Sequence, residues 1–172
     1  MGAVVLPPDA PPIAGLNDSK QVPAGRRSQI ADEVRAQALA WSVQMVDAAD
    51  IDAAGMTASL LMAFRRALAA VEAAGVAVDL VLLDGNPLRM DPREVSVVKG
   101  DGRCASLAAA SIIAKVERDA LMERLDSAYP AYGFASNKGY ASASHIEAIR
   151  ACGLSPVHRK TFCTAFAQDA LF

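Results

Sequence analysis

Apolar positions along this chain alternate between short continuous runs and helical stripes. Ala3 to Leu6 reads as the end of a short strand, and Pro7 to Pro12 is a turn-rich loop. Gly15-Leu16-Asn17-Asp18-Ser19-Lys20 has polar loop chemistry, with side chains able to bond nearby backbone. A helix is expected from Pro23, a residue suited to a first helical turn, to about Ala40, with Ile30, Val34 and Ala38 as its stripe. Trp41 to Val46 alternates as a strand, and Asp47 to Ala53 reads as a connector or short helical turn. Thr57 to Ala74 is a helix with Leu61, Phe64, Leu68 and Val71 on one face and Gly75 as its stop. Val78 to Leu83 is an apolar run interrupted by Asp79, read as a buried strand, and Asp84-Gly85-Asn86 turns it. Glu94 to Lys99 is a further strand, Ser106 to about Tyr129 a long helix, and Pro130 to Gly139 a loop. Ser144-x-x-Glu147 has the form of a capping box opening a short helix that Gly153 closes, and the tail from Thr161 reads as helical. Strands alternating with helices predict an α/β fold.

At 172 residues the chain is long enough for one domain with a real core. No run reaches the roughly 18 apolar residues that would span a bilayer. Met1 to Leu6 has no basic flank and meets Pro7-Pro8 at once, and Leu6 stands where a myristoylation motif wants Ser or Thr, so a cytoplasmic protein without a membrane partner is expected. The cysteines, Cys104, Cys152 and Cys163, are odd in number and lack Cys-x-x-Cys spacing, which argues against zinc and for reduced thiols. The net charge of -2 is not that of a general nucleic-acid binder. Its distribution is uneven: from 138 to 160 the charges are Lys138, Arg150, Arg159 and Lys160 against Glu147 alone, with His145 and His158 in the same stretch. That stretch is either an ordinary solvated surface or a phosphate-contacting edge.

Two carboxylates stand out. Asp101 follows the apolar run Val97-Val98 through Lys99-Gly100, and Asp119 lies eighteen positions on, in the small-residue helix Ser106-Leu107-Ala108-Ala109-Ala110-Ser111-Ile112-Ile113-Ala114-Lys115-Val116-Glu117-Arg118-Asp119. Carboxylates held near a packed core are costly without a cation or basic partner, which makes the pair a candidate metal site. On spacing alone, Asp101 is equally a turn aspartate and Asp119 a helix-surface residue paired with Lys115. A straight helix from Ser106 to Asp119 rises about 20 Å, so the two converge only if residues 102–105 first lead back along the sheet. Asp84 ends a strand and reads as a turn residue with Gly85, although an unrelated α/β enzyme using Asp84, Asp101 and Asp119 is conceivable.

Taken in order, these segments resemble the ribonuclease HII family along almost the whole chain. The blocks that carry the resemblance are Gly15 to Lys20, Ile51-Asp52 with Ala63-Phe64-Arg65-Arg66-Ala67, Leu82 to Asn86, Lys99-Gly100-Asp101, Ala109 to Asp119, and Lys138-Gly139-Tyr140 with His145 and His158-Arg159-Lys160-Thr161-Phe162. The resemblance implies a ribonuclease H-like mixed sheet flanked by helices over residues 1–130. Residues 131–172 would then form a C-terminal helical substrate-recognition region of the same compact domain. It implies a monomer that cleaves RNA in RNA–DNA hybrids, and duplex DNA at single embedded ribonucleotides, as in ribonucleotide excision repair. Four carboxylates would hold two Mn²⁺ or Mg²⁺ ions, and the products would be a 3′-hydroxyl and a 5′-phosphate. Asp101 and Asp119 would be catalytic metal ligands, Tyr140 would pack on the sugar at the ribonucleotide junction, and Lys138, Arg159 and Lys160 would contact phosphates.

The sequence departs from that pattern in one large respect. The family's Asp-Glu-x-Gly-Arg-Gly motif, on its first and central strand, is absent; with it go two carboxylates and the ribonucleotide-gripping loop. Asp32-Glu33 lies on a predicted helix with no glycines after it and does not replace the motif. The expectation is therefore a sheet without its central strand in a truncated, start-misread or degenerate chain, with little or no turnover, the alternative function being a silent relative that at most binds hybrids. Smaller departures are Gly55 where the family often has Asn, Ser142 for a usual Thr, and Asn137 where His is common.

Overall fold

The computed structural model describes residues 1–167, so the last five residues of the expected recognition region lie outside it. Among the described residues, four strands and seven helices follow one another as β1 (Gly2–Val5), α1 (Ala24–Gln37), β2 (Ala40–Val43), α2 (Ala48–Ala54), α3 (Met56–Ala73), β3 (Val81–Asp84), β4 (Glu94–Val97), α4 (Ala105–Ala128), α5 (Phe134–Asn137), α6 (Ala143–Cys152) and α7 (Lys160–Ala167). Short 3-10 turns occupy Gly100–Gly102 and Pro130–Tyr132. This is the expected α/β class. The chain divides into two compact units, one of Met1–Met45 and Leu60–Val116, the other of Val46–Ser59 and the residues from Glu117 onward.

The first unit holds both sheets. β1 and β2 are antiparallel, with Gly2 opposite Val43 and Val5 opposite Ala40, and the ladder continues one step further through Met1 and Gln44. β3 and β4 are parallel, with Val81 opposite Glu94 and Asp84 opposite Val97. Their connection is pinned by Glu94, whose carboxylate accepts the backbone N–H groups of Leu88, Arg89 and Met90, and by Arg93, which bonds Asp91, Glu72 and the carbonyl of Val78. Hydrogen bonds from Arg93 hold the Asp91 carboxyl down at about 2. The core joins Ile30, Ala31 and Val34 of α1 to Ala109, Ile112 and Ile113 of α4, all close-packed and fully buried, with Val4 and Val43 of the first sheet against them. The helical spacing of both triplets is the apolar stripe that the sequence predicts for α1 and conceals, among alanines, for α4.

Among the described residues, no ladder joins the two sheets. Between them lies a cavity of about 430 Å³ walled by Met1–Leu6 on one side and 80–84 on the other, and floored by Phe64, Ala67, Leu68 and Val71 of α3 with Leu107, Ala110 and Ala114 of α4. β1 crosses α4 so closely that a Cβ on Gly2 would strike the carbonyl of Ala110. Glycine is the residue that fits there.

The second unit is helical. Tyr132, Phe134 and Ile149 form its core, with Met122, Leu125, Tyr129 and Leu154 packed around them. The stretch expected to be a plain loop contains the 130–132 turn and α5, because Asn137 Nδ2 donates to the carbonyl of Tyr132 and folds the segment on itself. The cap of α6 is Ser142, two residues before the Ser144 expected from the capping box: its hydroxyl accepts the N–H of His145, so α6 starts at Ala143. Gly153 closes α6 with φ +75°, as expected. α7 starts under Asp52 of α2, whose carboxylate accepts the N–H groups of Lys160 (2.6 Å) and Thr161 (3.1 Å) and the Thr161 hydroxyl (2.5 Å). Among the described residues no helix is long and apolar enough to cross a membrane.

Candidate active site

Asp101 owes its place to a tight turn after β4. Lys99 adopts the left-handed region (φ 53°) and swings the chain off the strand. Gly100 follows, buried, where a Cβ would collide with Leu107 and crowd Val97. Its N–H donates to Asp84 Oδ1 at 2.7 Å, so the end of β3 holds the turn after β4. The carbonyl of Gly100 then accepts the N–H groups of both Arg103 and Cys104, a forked contact that passes directly into α4 at Ala105. Residues 102–105 therefore enter the helix at once and do not run back along the sheet.

The Asp101 carboxylate is half-buried and has no hydrogen bond or ion pair with any described residue. A carboxylate held so, on a rigid turn and without an ion pair among the described residues, fits a hard cation that keeps several of its own waters. The donor is oxygen, which suits Mg²⁺ or Mn²⁺, while the three cysteines are dispersed free thiols. Among the described residues, no three acidic, histidine or cysteine side chains gather into a ready metal cluster. Asp119 is half-buried on the part of α4 that belongs to the second unit.

The other expected residues all lie in the second unit. Tyr140 presents its ring to solvent, 66% exposed. Two left-handed residues, Lys138 and Gly139, precede it, and Arg118 of α4 donates to the carbonyl of Lys138. The Lys138 ammonium is paired with Glu123 at 3.0 Å, so a phosphate would have to compete for it. The Arg159 guanidinium lies 4.3 Å over the Phe162 ring, and Lys160 is exposed at the first turn of α7.

Four relationships escape the sequence reading. They are the clamp of Asp84 on Gly100, the cap of Asp52 on α7, the Ser19–Ser111 hydroxyl pair that ties the 15–20 loop to α4 at 2.8 Å, and the buried contact of His145 with His158. The Asp-Gly at the end of β3 is a visible signal for the first. The others join positions distant in sequence through ordinary polar residues.

A family model described as ribonuclease HII matches residues 2–165. Ribonuclease HII of Laribacter hongkongensis (strain HLHK9) is 42% identical over 177 residues, covering 98% of this chain and 87% of that protein. Ribonuclease HII of Dechloromonas aromatica (strain RCB) is 44% identical over 170 residues, covering 98% and 85%. Among solved structures, ribonuclease H2 from Pyrococcus horikoshii OT3 superposes with a TM-score of 0.71 at 22% identity, over 90% of this chain and 80% of that one. Bst-RNase HIII in complex with Mn²⁺ superposes with a TM-score of 0.67 at 22% identity, over 91% and 57%.

Proposed function

The chain belongs to the ribonuclease HII family, and from that premise we propose that it hydrolyses RNA in RNA–DNA hybrids and at single ribonucleotides embedded in duplex DNA, with two divalent ions. The observation that carries the reading is Asp101, a carboxylate without a partner among the described residues, fixed on a turn that Asp84 clamps. Asp101 is the metal ligand that the geometry supports, and the resemblance alone assigns Asp119 the same role. When bound, Mn²⁺ or Mg²⁺ would supply an activated water and stabilise the departing 3′ oxygen. The chain's own contributions are positional. Asp84 fixes the turn, the exposed Tyr140 ring offers an apolar face to a sugar, and Lys138, Arg159 and Lys160 offer charge to the strand backbone. The expected compartment is the cytoplasm, and the expected state is a monomer.

The two further carboxylates implied by the resemblance would come from a strand seated between β1 and β3. Each of those strands is paired along one edge only, and each turns the other edge to the cavity. That same cavity favours the second reading, a chain that binds hybrids and does not cut them. The deciding experiment follows end-labelled duplexes with one ribonucleotide, or none, in Mn²⁺. Metal-dependent cleavage confined to the ribonucleotide duplex, and lost in Asp101→Asn, supports hydrolysis; binding of that duplex without cleavage supports the silent reading; failure to bind it overturns both.

A further inference from the structure

The two histidines of the chain, His145 and His158, are both buried, and neither belongs to the carboxylate site. Their tautomers follow from their partners. The backbone N–H of Ser155 can only donate, and it points at His158 Nδ1 from 3.0 Å, so that nitrogen is bare. The Ser155 hydroxyl, 2.7 Å away, donates to the same atom. At the other end the carbonyl of Tyr140 can only accept, and His145 Nδ1 lies 2.8 Å from it, so that nitrogen carries a proton. One proton per neutral ring leaves His158 Nε2–H donating to His145 Nε2, 3.1 Å away. A single directed line of hydrogen bonds thus runs from Ser155 through His158 and His145 to the Tyr140 carbonyl. Phe134 packs edge-on to His145 and Tyr132 packs on His158, which fixes both ring planes.

At the outer end of this line stands the exposed ring of Tyr140, on a segment that leaves α5 through two consecutive left-handed residues. Its own N–H donates to Asn137, and its carbonyl also accepts the N–H of Ser142. The His145 bond ties this segment to the buried core, beside the exposed bonds of Arg118 and Glu123 to Lys138.

We infer that His145 is a positioning residue for ribonucleotide recognition, setting where Tyr140 presents its ring, with His158 and Ser155 fixing the tautomer it uses. This rests on the reading of Tyr140 as a sugar contact. The line works only while both rings are neutral, because a second proton would set two N–H groups face to face. Burial, and then the neighbouring imidazole, hold His158 below its ordinary value. The phenol of Tyr132 packs on His158, and the Tyr129 phenol and Cys163 thiol pack on the same Tyr132–Phe134–Ile149 core; among the described residues no carboxylate bonds either ring.

Asparagine carries its amide nitrogen near the place of histidine Nδ1, and glutamine near that of Nε2. His145→Asn therefore keeps the donor to Tyr140, and His145→Gln loses it. The measurement is the ratio of dissociation constants for an all-DNA duplex and its twin with one ribonucleotide. Loss of one positioning hydrogen bond is expected to cut that ratio roughly fivefold in His145→Gln, while His145→Asn stays near wild type and all-DNA binding is unchanged in both. On a Tyr140→Ala background, His145→Gln should add nothing. Equal effects of the two substitutions, or none, overturn the inference. Should His145→Gln fold poorly, the wild-type ratio titrated downward from pH 7.5 serves instead: it should fall as the pair protonates, and a ratio independent of pH overturns the inference. Amide exchange of 138–142 in the free protein separates the two claims. Faster exchange in His145→Gln than in His145→Asn upholds the positioning even where the duplexes are not distinguished, an outcome that would instead refute Tyr140 as the sugar contact.

Discussion

Asp84, at the last position of β3, accepts the backbone N–H of Gly100 at 2.7 Å, one residue before the carboxylate that the proposed chemistry depends on. The contact joins the ends of two parallel strands and sets the turn from which α4 departs. Asp84→Ala leaves that N–H without its partner in a buried turn, a cost of about 1–2 kcal/mol. Asp84→Asn keeps an oxygen in place. Denaturant unfolding should rank wild type close to Asp84→Asn and both above Asp84→Ala, and metal-dependent hydrolysis should follow the same order. Equal loss in both variants would mean that the charge of Asp84, not its grip on Gly100, is what matters.

Gly100 tests the same turn from the other side. Its Cβ position is filled by Leu107, with Val97 close behind. Gly100→Ala is expected to destabilise by about 1–3 kcal/mol through overpacking. Shortening the obstacle in a Gly100→Ala, Leu107→Ala pair should recover part of that loss relative to the sum of the single changes, as seen in chemical denaturation.

The cavity between β1 and β3 leads to a prediction about turnover. With Asp101 and Asp119 as its assigned ligands, the 172-residue chain should cleave ribonucleotide-containing duplexes measurably but slowly. A version extended at its N-terminus by a strand carrying two carboxylates should gain metal-dependent turnover by at least about 100-fold, each added ligand shaping the metal site. It should also melt higher, because the strand would pair two free edges and cover the apolar floor formed by Leu68, Val71 and Ala114. Ordinary turnover by the unextended chain, abolished by Asp101→Asn, would sink this idea.

Asp52 makes a prediction about acid. Its carboxyl is held below the ordinary 3.8, first by the Thr161 hydroxyl and then by backbone N–H groups of Thr161 and Lys160. A depressed carboxyl stabilises the fold above its unfolded value and loses that contribution as pH falls through its folded value. Asp52→Ala should lower Tm by a few degrees near pH 7. The gap to wild type should close as pH falls below 3.8 and on through the lowered folded value, where the wild-type carboxylate is itself protonated.

Much of the fold is legible in the sequence because its signals are local. The α3 stripe of Phe64, Leu68 and Val71 and the stop at Gly75 follow from periodicity and a single glycine. β3 begins at Val81, not Val78, because the carbonyl of Val78 is taken by Arg93, a side chain fifteen residues away. The α6 cap moved from Ser144 to Ser142 because two serines two positions apart offer the same chemistry, and only the path of the chain chooses between them. Of the candidate site, the turn at Asp101 and the exposed ring of Tyr140 lie in blocks the sequence singles out. The clamp from Asp84 and the imidazole line do not, since each depends on partners brought together only by folding.

His158 gives the final prediction its sign. Burial, and then the neighbouring His145 ring, lower its value from the ordinary 6.5, so the unfolded chain binds a proton more readily than the folded one. The stability this group contributes is fully present above pH 6.5 and is lost as pH falls through the folded value. Unfolding free energy measured between pH 7.5 and 5 should therefore decline with a slope of less than one proton, the carboxylates contributing little until lower pH. In His158→Gln the glutamine can still donate toward His145 but does not titrate, and the slope should shrink. A slope unchanged in His158→Gln would place the titration elsewhere and remove the argument that the pair is held neutral.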